Sequence, residues 1–234
     1  MELSIIFDNI DWFLEGLWTT VWLVSVSLML GLLLAVPLAV LRTSKNIIVQ
    51  APIRAYIYFF RGTPLLVQMY IVYYGFGLSD TLHTTIFWPL FKQAWFCALF
   101  AFTLNTGAYT TEIIRGAIET TPHGEVEAAK AAGMSRMLML RRIVLPSAFR
   151  RALPQYSNEI IFMLHGSAIA STITIVDILG AARIINSRYY SPYEAFLTAA
   201  VFYMALTFIT VFLLKKLETR WFAHLRPQVS SDTA

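Results

Sequence analysis

Across 234 residues, hydrophobic side chains make up 57% and charged ones only 14%, where a soluble domain carries roughly 25% charged residues. With a mean hydropathy of +0.61, the chain reads as an integral membrane protein, with room for one polytopic domain and no appended soluble one. The net charge of +4 is no nucleic-acid footprint, because the cations cluster beside hydrophobic runs. Cys97 is the only cysteine, so no intrachain disulfide exists and the redox compartment is left open.

The first sixteen residues carry Glu2, Asp8, Asp11 and Glu15 and no Lys or Arg, the opposite of a signal-peptide start, so no cleavage is expected. Trp12, Phe13 and Trp18 suit a membrane interface. Leu17 to Leu41 is free of charge over about 25 residues, enough for a tilted span of the ~30 Å hydrocarbon core. A second span, about Ala55 to Gly77, contains Arg61-Gly62-Thr63-Pro64. Pro64 lacks an N–H and clashes with the preceding turn, so this helix is expected to kink or to begin in earnest there. Lipid exposure of Arg61 is expensive, which places it at the span end or inside the protein. After a short loop, Asp80 to Lys92, a third span covers roughly Ala94 to Ile114.

Residues 115–152 form the longest hydrophilic interruption. Locally they read as two short helices around a hinge. Thr121 is placed to cap the first, with Pro122 at its first helical position. Glu125 and Glu127 sit near that N-terminus, where negative charge suits the helix dipole. Gly133 suits a left-handed stop, Ser135 a second cap, and Pro146 is expected to end the second helix. A fourth span runs from near Pro154 to about Thr172. A short amphipathic helix, about Ile175 to Asn186, follows near the outer surface. The fifth span is Ala195 to Leu214, and residues 227–234 are a polar tail expected to be disordered. The reading is thus all-α: a five-helix membrane bundle forming one domain, residues 1–226.

Lys and Arg counts orient it. The loop after the first span has three (Arg42, Lys45, Arg54), residues 115–152 have seven and the C-terminal segment four. The N-terminus has none, the loop after the second span one and that after the fourth two. The heavy segments belong in the cytoplasm, which puts the N-terminus outside and the C-terminus inside.

Several chemistries have no motif here. There is no GxxxxGK[ST] phosphate loop, no His/Cys cluster with metal-ligand spacing, and no GxSxG or HExxH. An ATP-driven process would therefore need a partner to supply the nucleotide site.

The hydrophilic segment holds one long pattern, EAA–x3–G–x9–I–x–L–P, made by Glu127, Ala128, Ala129, Gly133, Ile143, Leu145 and Pro146. With every element at its spacing, it resembles the cytoplasmic coupling loop of permease subunits of ABC-type importers. Arg61-Gly-Thr-Pro-Leu-Leu-Val-Gln68, Leu104-Asn-Thr-Gly-Ala-Tyr-Thr-Thr-Glu112, Arg115-Gly116 and Pro122-His-Gly-Glu-Val-Glu-Ala-Ala resemble polar amino-acid importer permeases. That resemblance covers about residues 17–222. Tyr156-Ser-Asn-Glu-Ile and Met163-Leu-His165 look most like the M-type subunit of histidine/lysine/arginine/ornithine importers. Many relatives specific for glutamine or glutamate have Lys where this chain has His165, and Gly166-Ser-Ala departs from the usual stretch.

The resemblance implies a bacterial inner-membrane, type I importer permease that catalyses no chemistry. It also implies an ATP-binding cassette ATPase dimer that holds ATP and Mg, a second, similar permease, and a periplasmic substrate-binding protein. A permease for glutamine or glutamate is the competing reading. A non-transporting scaffold is a further one, against which the complete coupling loop argues.

Pathway candidates come from polar groups at membrane depth, which face the bundle interior or water. Glu112 has Arg115 at helical spacing as a partner. Glu159, beside Asn158, has no such neighbour and would suit a cationic substrate in a low-dielectric cavity. Its structural alternative is a hydrogen bond near a helix end. Asn105, Thr106 and Tyr109 share one helical face and suit either an amino acid's α-groups or helix packing. His165 reads as a pore residue or a satisfied core histidine. Gln68 and Arg61 complete the set.

Overall fold

The computed structural model describes residues 3–76 and 84–221, and among them all regular structure is helical. After a short α1 (Leu3–Asp8), α2 (Ile10–Arg42) runs 33 residues with Pro37 inside it, and Thr43 ends it. α3 (Ile47–Gly62) starts on Asn46, whose side chain accepts the Ile48 N–H at 2.9 Å. α4 (Leu65–Tyr70) follows and continues as a π-helical turn, Ile71–Phe76. Next come α5 (Trp88–Phe91) and α6 (Ala94–Glu119), then the loop helices α7 (His123–Ala131) and α8 (Arg136–Met139). A π-helical turn, Leu140–Val144, leads directly into α9 (Leu145–Gly166), which tightens into a 3₁₀ segment, Ser167–Ile173. α10 (Ile178–Tyr189) and α11 (Pro192–Trp221) close the described chain. The expected polar tail, and the loop around Asp80, lie outside the described residues.

α2 and α11 are long and apolar enough to cross a bilayer on composition alone, and the bent pair Arg136–Ile173 with Ile178–Tyr189 makes a third such unit. α6 is as long as a span, but Asn105, Thr106, Thr110 and Thr111 lower its hydropathy. All four are buried inside the bundle, so lipid meets none of them. In the second span, α3 and α4 are separated at Thr63–Pro64, where the sequence places the break.

The core lies where α2, α4, α6 and α9 meet, around Leu23, Met69, Phe102 and Leu164. α2 and α6 approach closely at Gly31: a Cβ there would stand 2.4 Å from Thr106 Cγ2 and 3.2 Å from the Gly107 backbone nitrogen. A second cluster seats α10 against the start of α2 and against α11, through Phe13, Ile178, Ala182 and Ala199. Asp177 caps α10, accepting from the Gly180 N–H at 2.7 Å and from the Tyr203 hydroxyl at 3.1 Å. The amphipathic helix therefore buries its apolar face instead of lying free on the surface.

Three local expectations are corrected. Thr121 does not cap α7; Pro122 takes the cap position, and Thr121 Oγ1 donates back to the Ile118 carbonyl at 2.7 Å. Pro146 does not end a helix. It falls in the first turn of α9, directly after the π-helical turn. The wide turn supplies the room a proline ring demands. Nor does Pro154 mark a helix start, since it lies within α9, so the expected span is the later part of a longer helix.

The Gly31 contact is testable. Gly31→Val should separate α2 from α6 and cost about 1–3 kcal/mol, as overpacking does. Gly116, whose Cβ position has nothing within 4 Å, should accept Ala without loss. Thermal unfolding of the two variants in detergent checks the contrast.

Candidate functional site

Two features stand out, one on each end of α9. The first is a polar cleft of about 600 Å³ between the α3–α4 break, α6 and α9. Its walls include Arg61, Thr63, Asn105, Tyr109, Glu112, Gln155, Asn158, Glu159 and Phe162. Glu159 is buried and belongs to none of the ion pairs among the described residues, which join Arg42 to Glu112 and Arg115 to Glu112 and Glu119. The Arg61 guanidinium lies over the Tyr109 ring, 5.2 Å from its centroid, a cation–π arrangement that holds it at the cleft wall. Glu112 is tied to Arg115 (Nη2–Oε2 2.8 Å) and to Arg42 (Nε–Oε1 3.6 Å), so its charge is already answered at the loop end of α6.

Gln68 has a different task. Pro64 has no N–H to give to the Phe60 carbonyl four residues earlier, and such a gap is costly in a membrane. Gln68 Nε2 fills it, donating to the Phe60 carbonyl at 2.8 Å and to the Thr63 carbonyl at 2.9 Å. Its Oε1 accepts from Asn105 Nδ2 at 2.9 Å. Gln68 is buried behind the cleft and does not line it. Thr106 is likewise outside, in the α2–α6 contact. His165 faces away from the cleft, paired with the Thr207 hydroxyl at 3.0 Å. Of the pathway candidates, the structure therefore brings together Asn105, Tyr109, Glu112, Asn158 and Glu159, with Arg61. It adds Gln155 and Phe162, which the sequence reading passed over. Their spacing of four before and three after Glu159 was the available signal.

The second feature is the loop. Ala128, Ala129, Ile143 and Pro146 line one open cleft of about 490 Å³ together with Glu125, Met134 and Arg142. Gly133 has φ +73°; the Gly133 N–H reaches the Lys130 carbonyl at 2.9 Å and the Met134 N–H the Ala129 carbonyl at 3.1 Å. This is the paired bonding of a left-handed C-terminal stop. Ser135 then caps α8, accepting the Leu138 N–H at 3.3 Å. Glu127 and Leu145 lie beside the cleft without lining it. Met137 is exposed, as is Glu127 on α7.

Arg151, which the sequence reading did not single out, joins loop to rod. From α9 its Nη2 donates to the Ala117 carbonyl at 2.9 Å and to Thr121 Oγ1 at 2.8 Å. Ala117 is in the last turn of α6, where carbonyls lack helical partners. Pro146 in the loop cleft and Glu159 in the polar cleft stand 13 residues apart on this one helix, about 20 Å.

A helical membrane bundle with a polar cleft between its helices and a structured loop at one end is the architecture of a translocation subunit. The chain belongs to the binding-protein-dependent transport system inner membrane component family, whose profile matches residues 27–223. It is 43% identical to the nopaline transport system permease protein NocM of Agrobacterium fabrum, over 98% of this chain and 95% of that one. It is 47% identical to the histidine/lysine/arginine/ornithine transport system permease protein HisM of Salmonella typhimurium, over 90% of each. Among solved structures, an amino acid ABC transporter crystallised with histidines superposes with a TM-score of 0.83 at 30% identity, covering 94% of this chain and 99% of that one. The chain is a membrane permease subunit of an ABC importer, and ATP hydrolysis belongs to its ATPase partner.

Two substitutions test the local assignments. Gln68→Leu strands the Thr63 carbonyl, leaves the Phe60 carbonyl only the longer bond from Asn105 Nδ2 at 3.3 Å, and should cost about 1–3 kcal/mol. Lower thermal stability before any change in substrate preference is the expected result. Gly133→Val puts a β-branched residue at positive φ, a conformation such residues avoid. Insertion should survive, while transport per ATP hydrolysed falls; normal transport by Gly133→Val would remove the docking role of the loop.

Proposed function

We propose that this chain is the M-type permease of an importer for basic amino acids, with the cleft around Glu159 forming part of the route. The observation that carries the reading is a buried carboxylate, free of any ion pair among the described residues, in a cleft that also holds a guanidinium. A basic amino acid carries a carboxylate and two cations. Arg61 answers the first, and Glu159, with the side-chain amides of Asn105 and Asn158, suits the second. Glu112 is less available because Arg42 and Arg115 already hold it. The substrates of HisM agree with a cationic ligand, and that of NocM, nopaline, marks the neighbouring possibility.

In this reading the permease pairs with a second, distinct permease, so that two half-sites face each other. The ATPase dimer seats the α7–α8 loop, and ATP-driven closure swings α9 to open the cleft to the side where the binding protein delivers substrate. The N-terminus lies in the periplasm and the C-terminus in the cytoplasm.

Reconstitution of the complex purified through a tag on this chain tests the assignment. Arginine, lysine, ornithine and histidine should stimulate ATP hydrolysis with their binding protein, and two different permease chains should copurify. Stimulation by glutamate or glutamine instead would overturn it.

Glu159→Gln keeps shape and hydrogen bonding but removes charge. An opposed charge at ~4 Å is worth about 4 kcal/mol at an effective dielectric of ~20, so uptake of arginine and lysine should fall about tenfold or more. Histidine, largely neutral at pH 7, should be affected less, and the gap should narrow as the pH falls and its ring gains a proton. Equal loss for all three would make Glu159 structural. For orientation, reporters fused after Asp80 and after Arg220 should report opposite sides of the membrane.

A further inference from the structure

A further cleft lies apart from the polar one. It has about 690 Å³, lies at the loop end of the bundle between α2, α6, α9 and the end of α11, and is mainly apolar. Leu32, Phe149, Leu153 and Tyr156 line it with Arg150, Arg220 and Trp221; Pro146 and Arg150 also line the adjoining loop cleft. On α9, Phe149, Leu153 and Tyr156 occupy a different face from Gln155, Glu159 and Phe162, by about 100° per residue of helical rotation. The two clefts therefore open to different surroundings, and this one does not belong to the polar route.

We propose that this cleft binds one anionic phospholipid, its acyl chain against the apolar wall and its phosphate between Arg150 and Arg220. Arginine pairs with phosphate through parallel N–H donors, and both guanidiniums are exposed. The nearest carboxylate on the same turn of α11, Glu218, accepts a hydrogen bond from Ser157 Oγ at 2.8 Å, which also latches the end of α11 over α9. Trp221 is an indole at a lipid–water boundary, where tryptophan collects. The outer face of α11 is lipid-like surface, with Phe208, Ile209 and Phe212 exposed, so a lipid reaches the cleft laterally. Basic pockets between membrane helices on the side of positively charged loops select anionic headgroups.

The test is native mass spectrometry of the tagged transporter complex, delipidated and titrated with phosphatidylglycerol or phosphatidylcholine. Phosphatidylglycerol should bind more tightly than phosphatidylcholine. Arg150→Gln with Arg220→Gln should weaken that binding by about thirtyfold, the factor implied by two lost charges near an anionic headgroup. The double Lys variant should retain most of it, and Leu32→Trp should reduce it by filling the cleft with both charges intact. Equal affinity for the two lipids, or no effect of the double Gln variant, would overturn the proposal. Inorganic phosphate binding as tightly as the lipid would do the same. So would loss of the second permease from the double Gln complex, which would make the cleft a subunit interface. Lipid binding that appears only after removal of residues 222–234 would give the cleft to the chain's own C-terminal segment.

Discussion

The rest of the molecule depends on one guanidinium. Arg151 projects from α9 and holds the last turn of α6 at Ala117 together with Thr121, the residue that leads into the loop helices. α8 already runs into α9 through the π-helical turn; Arg151 adds a cross-link that ties the other end of the loop, where α6 stops, to the same helix. A hydrogen bond from a charged donor is worth about 1.5–3 kcal/mol, more than one neutral bond of the kind that shapes the Gly133 turn. α9 is a stiff lever because the π-helical turn at Leu140–Val144 feeds it without a break. The loop cleft at one end and a polar cleft about 20 Å away are thus parts of one rod, and in the proposed cycle a shift at one end is felt at the other.

The second constraint is that backbone polar groups inside a membrane need partners. A proline break in the second span opens the polar cleft, at the cost of an unserved carbonyl at Phe60. Gln68 answers it, and Asn105 in turn supports Gln68. The cleft therefore exists because a glutamine and an asparagine are diverted to backbone repair. In α6, Thr106, Thr110 and Thr111 are buried inside the bundle, away from lipid.

Features that depend on local backbone chemistry were legible in the sequence. Gly133 at a left-handed stop, Ser135 as a cap and the break at Pro64 each follow from the residue type and its immediate neighbours. The order of spans was legible from charge-free runs. What escaped were partnerships across the chain. Thr121 looks like a helix cap until Arg151, 30 residues later, arrives beside it. Pro146 and Pro154 look like helix boundaries, because a sequence shows the missing N–H but not the π-helical turn or the neighbouring helices that accommodate it. Gln68, Thr106 and His165 look like pathway groups because polarity at membrane depth is visible and its direction is not. In the structure they serve a carbonyl, a helix contact and a threonine hydroxyl. Glu159 looks isolated in the sequence; in the structure it sits beside Thr106 and Arg61, neighbours that distance along the chain concealed.

The most direct measurement of the coupling account is the number of substrate molecules moved per ATP hydrolysed by the reconstituted complex carrying Arg151→Ala. The Ala117–Thr121 link is then lost while the loop surface and the polar cleft are left untouched. The account predicts that ATP hydrolysis continues and that uptake per ATP falls severalfold, with Arg151→Lys recovering part of it. An Arg151→Ala complex that moves as much substrate per ATP as the parent would contradict it.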